Sequence, residues 1–268
     1  MTVFSRDILA DRERRLELME LLRESVERGF AGFSIHYQPQ ADTLSGRLCG
    51  AEALARWHCG KYGDVSPGEF IPLMEQSGLI VPFGQWILSH GMAQCLEWRR
   101  SRPDFQISVN LSYIQLSQGD FISFLRTALE ENSLDPSRLI MELTETYLEK
   151  AEVDTLRLIA QMKELGVKIA MDDFGVGYSS LFSLKSIPVD VVKIDRRFVK
   201  GITSDPFNAT FIRSITDLCH DVGRKVCLEG VETEEEYEAV RELGMEYIQG
   251  YYFGRPMSAR QFEDRLKE

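Results

Sequence analysis

A chain of 268 residues, 44% hydrophobic and 27% charged, is long enough for one substantial core and has no low-complexity tract or strong internal linker, so it reads as a compact enzyme-sized domain. Its formal net charge of −11 opposes non-specific binding to DNA or RNA, which needs a basic surface, but admits a small anionic ligand if metal ions sit between. No apolar run approaches the roughly 18 residues of a membrane span and the N-terminus lacks a signal-peptide pattern, so the expected location is the cytoplasm.

Residues 1–30 make the first unit. Between Arg12 and Arg28, charges alternate with Leu16, Met19, Leu22 and Val26 at helical spacing, which predicts an amphipathic helix. It either covers one end of the domain at 31–268 or continues a linker from an upstream domain; the pattern alone leaves both open. A first strand is then predicted at 33–38. Short Val-, Ile- and Leu-rich runs follow at 49–54, 105–110, 139–143, 167–173, 189–194 and 225–229, with a last strand at 247–253. Helical period fills the intervals, as in Ile215, Leu218, Cys219 and Val222. Leu165-Gly166, Val222-Gly223 and Leu243-Gly244 read as helix ends closed by a left-handed glycine cap. The five cysteines include no Cys-x-x-Cys pair and mostly occupy apolar settings, so buried reduced thiols are expected.

The repeating unit is helix, glycine, strand, polar tip. About eight strands alternating with helices predict an α/β parallel sheet and, at this length, a closed barrel of the TIM type. An open doubly wound sheet is the alternative. The barrel is preferred because Glu52, Asn110, Glu142, Asp172, Asp173 and Glu229 stand at the ends of several separate runs, as side chains converging on one barrel mouth should.

Five carboxylates at one mouth repel, so the cluster must take up protons or cations. An all-oxygen set with one amide and no thiolate suits Mg²⁺ or Mn²⁺ better than zinc, and none of His36, His58, His90 and His220 has metal-motif spacing. The adjacent Asp172 and Asp173, at a strand end, can turn both carboxylates to one space, one of them bridging two metals. Gly175 and Gly177 then permit a tight or mobile loop coupled to the site.

These residues fall in a recognisable series. Glu52-Ala-Leu-Ala-Arg-Trp57 is followed by Val109-Asn-Leu-Ser112, Glu142-Leu-Thr-Glu145, Asp172-Asp-Phe-Gly-Val-Gly-Tyr-Ser-Ser180, Val192-Lys-Ile-Asp195, Glu229-Gly-Val-Glu232 and Gln249-Gly-Tyr-Tyr-Phe253. From about Phe33 to Arg265 the chain resembles the EAL-domain cyclic di-GMP phosphodiesterases. The tripeptide alone would be worthless; seven motifs in order are specific. The resemblance implies a TIM-type barrel with one antiparallel strand, commonly dimeric, that opens cyclic di-GMP to linear pGpG with two Mg²⁺ or Mn²⁺ ions. It implies Glu52, Asn110, Glu142 and Asp172 as ligands of the first metal, and the bridging Asp172 with Asp173 and Glu229 as ligands of the second. Lys193 would orient the attacking water, Gln249 would support that water or the metal shell, and Gln38 and Arg56 would contact substrate. Glu145 would hold the loop after Asp172 in place.

Two ions about 4 Å apart can deprotonate a water and stabilise an in-line displacement at phosphorus, so a conventional general base is unnecessary. Arg56 offers a planar fork suited to phosphate. Lys193 has a plainer reading as a structural ion-pair partner. Two positions depart from the family pattern: Val176 replaces the usual threonine, losing a hydroxyl that could hold the loop, and Gln40 replaces the apolar residue usual after Tyr-Gln-Pro. Tyr251, Tyr252 and Phe253 could stack on bases or simply be core. The alternative functions are a non-hydrolysing cyclic di-GMP receptor, expected to lack part of the ligand set, and a metal-dependent lyase or enolase-like barrel, which would share fold and metal but not the motif series.

Overall fold

The computed structural model describes residues 3–117, 120–149, 153–176, 184–185 and 187–267. Its sheet comprises β1 (Phe33–Asp42), β2 (Leu48–Cys59), β3 (Gly63–Val65), β4 (Gln106–Asn110), β5 (Leu139–Thr144), β6 (Lys168–Phe174), β7 (Val191–Ile194), β8 (Lys225–Glu229) and β9 (Tyr247–Gln249). The order β1-β9-β8-β7-β6-β5-β4-β2 is closed by pairing of β1 with β2, which makes an eight-stranded barrel. β1 runs antiparallel to both neighbours, and every other barrel pair is parallel. The expected barrel with one reversed strand is therefore the fold. β3 lies outside the ring as a hairpin partner of β2, a strand the sequence pattern did not announce because Gly63-Asp-Val65 is short and polar.

Alternation along the strands separates two environments. Ile107, Val109, Met141, Leu143, Ile169, Met171, Val192, Ile194, Val226 and Leu228 point into the shell between barrel and helices and join its continuous core. A separate small apolar cluster of Ile140, Ala170, Val191 and Cys227, with Tyr247 against it, lies in the interior.

Local chemistry sets the helix ends. Asp205 caps the helix Pro206–Asp221 by accepting from the N–H of Phe207, and Thr233 and Ser258 form reciprocal capping boxes with Glu236 and Gln261. Gly166, Gly223 and Gly244 have φ of 92°, 73° and 102°, the left-handed conformation expected of the three helix-to-strand turns.

Several details of the elements differ from expectation, among them that β1 runs on to Asp42 rather than 38 and β2 to Cys59 rather than 54. In α1 (Val3–Glu27) the buried stripe runs through Leu18 and Leu22, while Leu16 is 57% exposed. α1 docks beside the β2–β3 hairpin and α2 (Pro67–Ser77): Arg14 pairs with Glu69, Glu17 accepts from Lys61 and Tyr62, and Ser25 accepts from the Trp57 indole. In the helix Pro206–Asp221 the buried side is Ile212, Ile215, Thr216 and Cys219, which leaves Leu218 and Val222 exposed. β7 begins at Val191 rather than 189, and β9 ends at Gln249, after which the chain turns. Cys59, Cys95, Cys219 and Cys227 are buried and Cys49 half-buried, all as thiols. No helix among the described residues is long and apolar enough to cross a membrane.

Candidate functional site

The strand register brings the polar positions to one end of the barrel interior. Gln38 stands opposite Glu52, Asn110 beside Glu142, Thr144 beside Asp172, Lys193 beside Cys227, and Glu229 beside Gln249. At the centre is Lys193, 1% exposed. Its Nζ lies 2.6 Å from Glu142 Oε2, 2.7 Å from Glu229 Oε1, 3.3 Å from Asp172 Oδ1 and 3.4 Å from Glu52 Oε2. Glu52 also accepts from Asn110 Nδ2 and Gln249 Nε2, both at 2.7 Å.

Five carboxylates thus share one mouth with a single buried ammonium, and the imbalance appears in their proton affinities. Burial strongly opposes charge on Lys193, but Asp172, Glu142, Glu229 and Glu52 outweigh it and hold the ammonium well above its ordinary range. Glu52 is also penalised by burial, yet Lys193 and the hydrogen bonds from Gln249 and Asn110 keep its carboxyl below the ordinary value. Burial and the Glu52 charge push Glu142 well up, with Asp172 adding to the effect. Burial, then Asp172 and Glu52, carry Glu229 to about 8 against the pull of Lys193. Asp173 is raised by burial and by Asp172. One buried oxygen, Glu142 Oε1, has no hydrogen-bond partner.

β6 delivers the adjacent aspartates by an irregular end. The register with β7 shifts between Met171 and Phe174, and Asp173 takes a φ of 58° with its N–H donating to Asp172 Oδ1. A non-glycine residue in the left-handed region is strained, and here the strain turns both carboxylates the same way. One oxygen each from Asp172, Asp173 and Glu229 lie within 4.8 Å of one another, close enough to share a cation.

The backbone after the pair is tied down by Glu145, which is buried and accepts from the N–H of Gly175 at 3.0 Å. Gly175 has a φ of 95°, and a Cβ there would stand 2.6 Å from the Phe198 ring. Val176 is exposed. The rest of the expected loop, residues 177–180, lies outside the described residues.

A cavity of about 350 Å³ opens above the cluster. Gln38, Glu52, Asp172, Asp173, Glu229 and Gln249 line it, so the structure gathers these expected site residues around one space. Arg56 is not among the lining residues; its guanidinium donates to the carbonyl of Ala55 at 2.8 Å, although β2 alternation places it on the same strand face as Glu52. Asp195, Arg196 and Glu232 also line the cavity and had no role assigned from sequence. Asp195 directly follows β7 and closes the Val192-Lys-Ile-Asp195 motif, and Glu232 closes Glu229-Gly-Val-Glu232, signals that were readable; Arg196 carried none.

A closed (β/α) barrel with an oxygen-rich acidic cluster across its strand tips defines a TIM-type barrel protein with a candidate cation-binding mouth. Comparison with known proteins gives the family. The pattern of the EAL domain matches residues 19–256, and the chain belongs to the EAL domain family. It is 38% identical over 259 residues to the bifunctional diguanylate cyclase/cyclic di-GMP phosphodiesterase MucR of Pseudomonas aeruginosa, covering 96% of this chain and 38% of that protein. A cyclic di-GMP phosphodiesterase of the same organism is 33% identical over 236 residues, covering 88% of this chain and 40% of that protein. The chain thus spans about two-fifths of the length of these relatives. Among solved structures, the MucR phosphodiesterase in complex with cyclic di-GMP superposes with a TM-score of 0.84 at 38% identity, covering 92% of this chain and 99% of that one. An EAL domain protein of Listeria monocytogenes superposes with a TM-score of 0.79 at 29% identity, covering 94% and 97%.

Proposed function

We propose that this chain hydrolyses cyclic di-GMP to linear pGpG with two divalent cations, Mg²⁺ or Mn²⁺, at the barrel mouth. The observation that carries the reading is the convergence of Glu52, Glu142, Asp172 and Glu229 on one buried cationic atom, Lys193 Nζ. The donor set fits hard cations: it is all oxygen, over-supplied with negative charge, and includes the unpartnered Glu142 Oε1. Glu52, Asn110, Glu142 and Asp172 would hold the first ion, and Asp172, Asp173 and Glu229 the second. When bound, the ions supply Lewis acidity toward phosphate and lower the pKa of a coordinated water.

The protein residues do the positioning. In the metal-free chain the surrounding carboxylates hold the Lys193 ammonium well above the usual lysine range, and in this reading its Nζ would donate a hydrogen bond that orients the attacking water. Gln249 and Asn110 each spend an N–H on Glu52 and so fix its carboxylate plane. Gln38 borders the space where a phosphate would sit, and Arg56 would have to leave the Ala55 carbonyl to reach it. Glu145 holds the backbone that follows the aspartate pair. The complete donor set with its lysine favours the enzyme over a non-hydrolysing receptor, which tolerates loss of ligands.

The test is incubation of the purified chain with cyclic di-GMP and Mn²⁺ or Mg²⁺, with an EDTA control, followed by nucleotide chromatography. Metal-dependent pGpG is the expected outcome; nucleotide that binds but stays intact would make the chain a receptor. The same reading takes a homodimer as the assembly and an upstream sensory or cyclase domain as partner, which light scattering and the full-length gene product would test.

A further inference from the structure

Below the acidic cluster a hydrogen-bonded chain of side chains crosses the barrel interior. Gln40 on β1 is buried and donates through Nε2 to Gln249 Oε1 at 3.0 Å and to Ser108 Oγ at 3.4 Å. Gln249 in turn donates through Nε2 to Glu52 Oε2. The direction of the chain is set at its far end. An ionised carboxylate only accepts, so Gln249 presents its NH₂ to Glu52 and its carbonyl oxygen to whatever lies behind. Gln40 supplies the donor there. A Gln249 carboxamide turned by half a rotation would set oxygen against the Glu52 carboxylate and NH₂ against the NH₂ of Gln40, two repulsive contacts between buried side chains.

The neighbouring strand makes room for this arrangement. Gly50 pairs with Gln40 in the β1–β2 register, and a Cβ there would stand 2.9 Å from Gln40 Oε1 and 3.1 Å from the Gln106 carbonyl oxygen. Gly50 does not have a positive φ, so the demand for glycine comes from its neighbours, the Gln40 side chain and the Gln106 backbone carbonyl. Gln40 also borders a cavity of about 10 Å³, at the lower limit of the space one water needs.

We propose that Gln40 is a positioning residue for the metal centre: its amide locks the Gln249 carboxamide, and through it the Glu52 carboxylate, in the orientation that receives the first cation. The proposal rests on the reading of the mouth as a metal site.

Two variants test it from different sides. Gln40→Met keeps the length and removes the donor; Gly50→Ala keeps Gln40 and pushes its amide aside. The readouts are calorimetric titration with Mn²⁺ alone, kcat and KM for cyclic di-GMP, and the melting temperature in EDTA. Both variants are expected to bind Mn²⁺ about three- to tenfold more weakly, the scale of one neutral hydrogen bond. kcat should fall by a similar factor with KM within about twofold, and the EDTA melting temperature should hold within a few degrees. Unchanged Mn²⁺ affinity in both would overturn the proposal, and a lowered melting temperature with unchanged Mn²⁺ affinity would reduce Gln40 to a packing residue. A wild-type chain that binds no Mn²⁺ would sink the metal-site reading itself, so the wild-type titration separates the two failures.

Discussion

Along β5, Leu139, Met141 and Leu143 turn outward into the helical shell, while Ile140, Glu142 and Thr144 face the barrel interior. The same alternation holds on β7, where Val192 and Ile194 join the shell and Lys193 sits among carboxylates. The shell is aliphatic and aromatic, and each fully buried side chain there contributes about 1.5–3 kcal/mol. The interior instead buries charges, each of which costs several kcal/mol to desolvate, and recovers that only through close pairing. One set of strands therefore carries the apolar core on one face and the candidate site on the other. Substitutions on the two faces should separate cleanly in what they change.

The largest effect is expected at the mouth. Glu52→Ala or Asp172→Ala should lower cyclic di-GMP turnover by at least about 1,000-fold, as loss of a metal-bridging or metal-holding carboxylate does in two-metal chemistry, with the far-UV circular dichroism unchanged. Retention of a tenth of the activity would contradict the assignment. Lys193→Met should cut kcat by about 100-fold or more with little change in nucleotide affinity. Calorimetry showing lost binding would instead make Lys193 a substrate clamp.

A shell substitution should do the reverse. Leu88→Ala, on α3 (Ile80–Arg99), empties a fully buried site and should cost about 2–5 kcal/mol in denaturant unfolding, with the activity per folded molecule unchanged. A comparable loss of kcat would blur the division between faces.

The interior also makes a pH prediction for the metal-free chain. The Glu229 carboxyl titrates near 8 when folded and near 4.5 ordinarily, so the folded state holds this proton more tightly. Its contribution to stability is full below about 4.5 and is lost as pH rises through about 8. In EDTA the melting temperature should therefore fall across this window. Glu229→Gln should flatten that decline. The smallest effect is expected at the loop: Glu145→Gln keeps the acceptor for Gly175 N–H but removes its charge, and should lower kcat about threefold, the difference between a charged and a neutral hydrogen bond. An unchanged rate would leave Glu145 a packing residue.

The sequence alone established more of the site than of its surroundings. Barrel class, the approximate strands and the six acidic and amide tips were readable, because a strand imposes a period of two and a parallel sheet collects its C-terminal ends on one side. The left-handed caps at Gly166, Gly223 and Gly244 were readable for the same local reason: only the backbone of one residue is involved.

Tertiary packing decided the rest. α1 contains two overlapping apolar stripes, and the surface of α2 and the β2–β3 hairpin chose Leu18 and Leu22 over Leu16. The helix Pro206–Asp221 was likewise rotated to bury Ile212 and Thr216 and expose Leu218 and Val222. That Lys193 would meet four carboxylates from four other strands, and that Gln40 would stand behind Gln249, follows from interstrand register, which no local pattern records. Periodicity determines which residues share a face of one element. Which face meets which partner, and at what distance, is set only when the barrel closes.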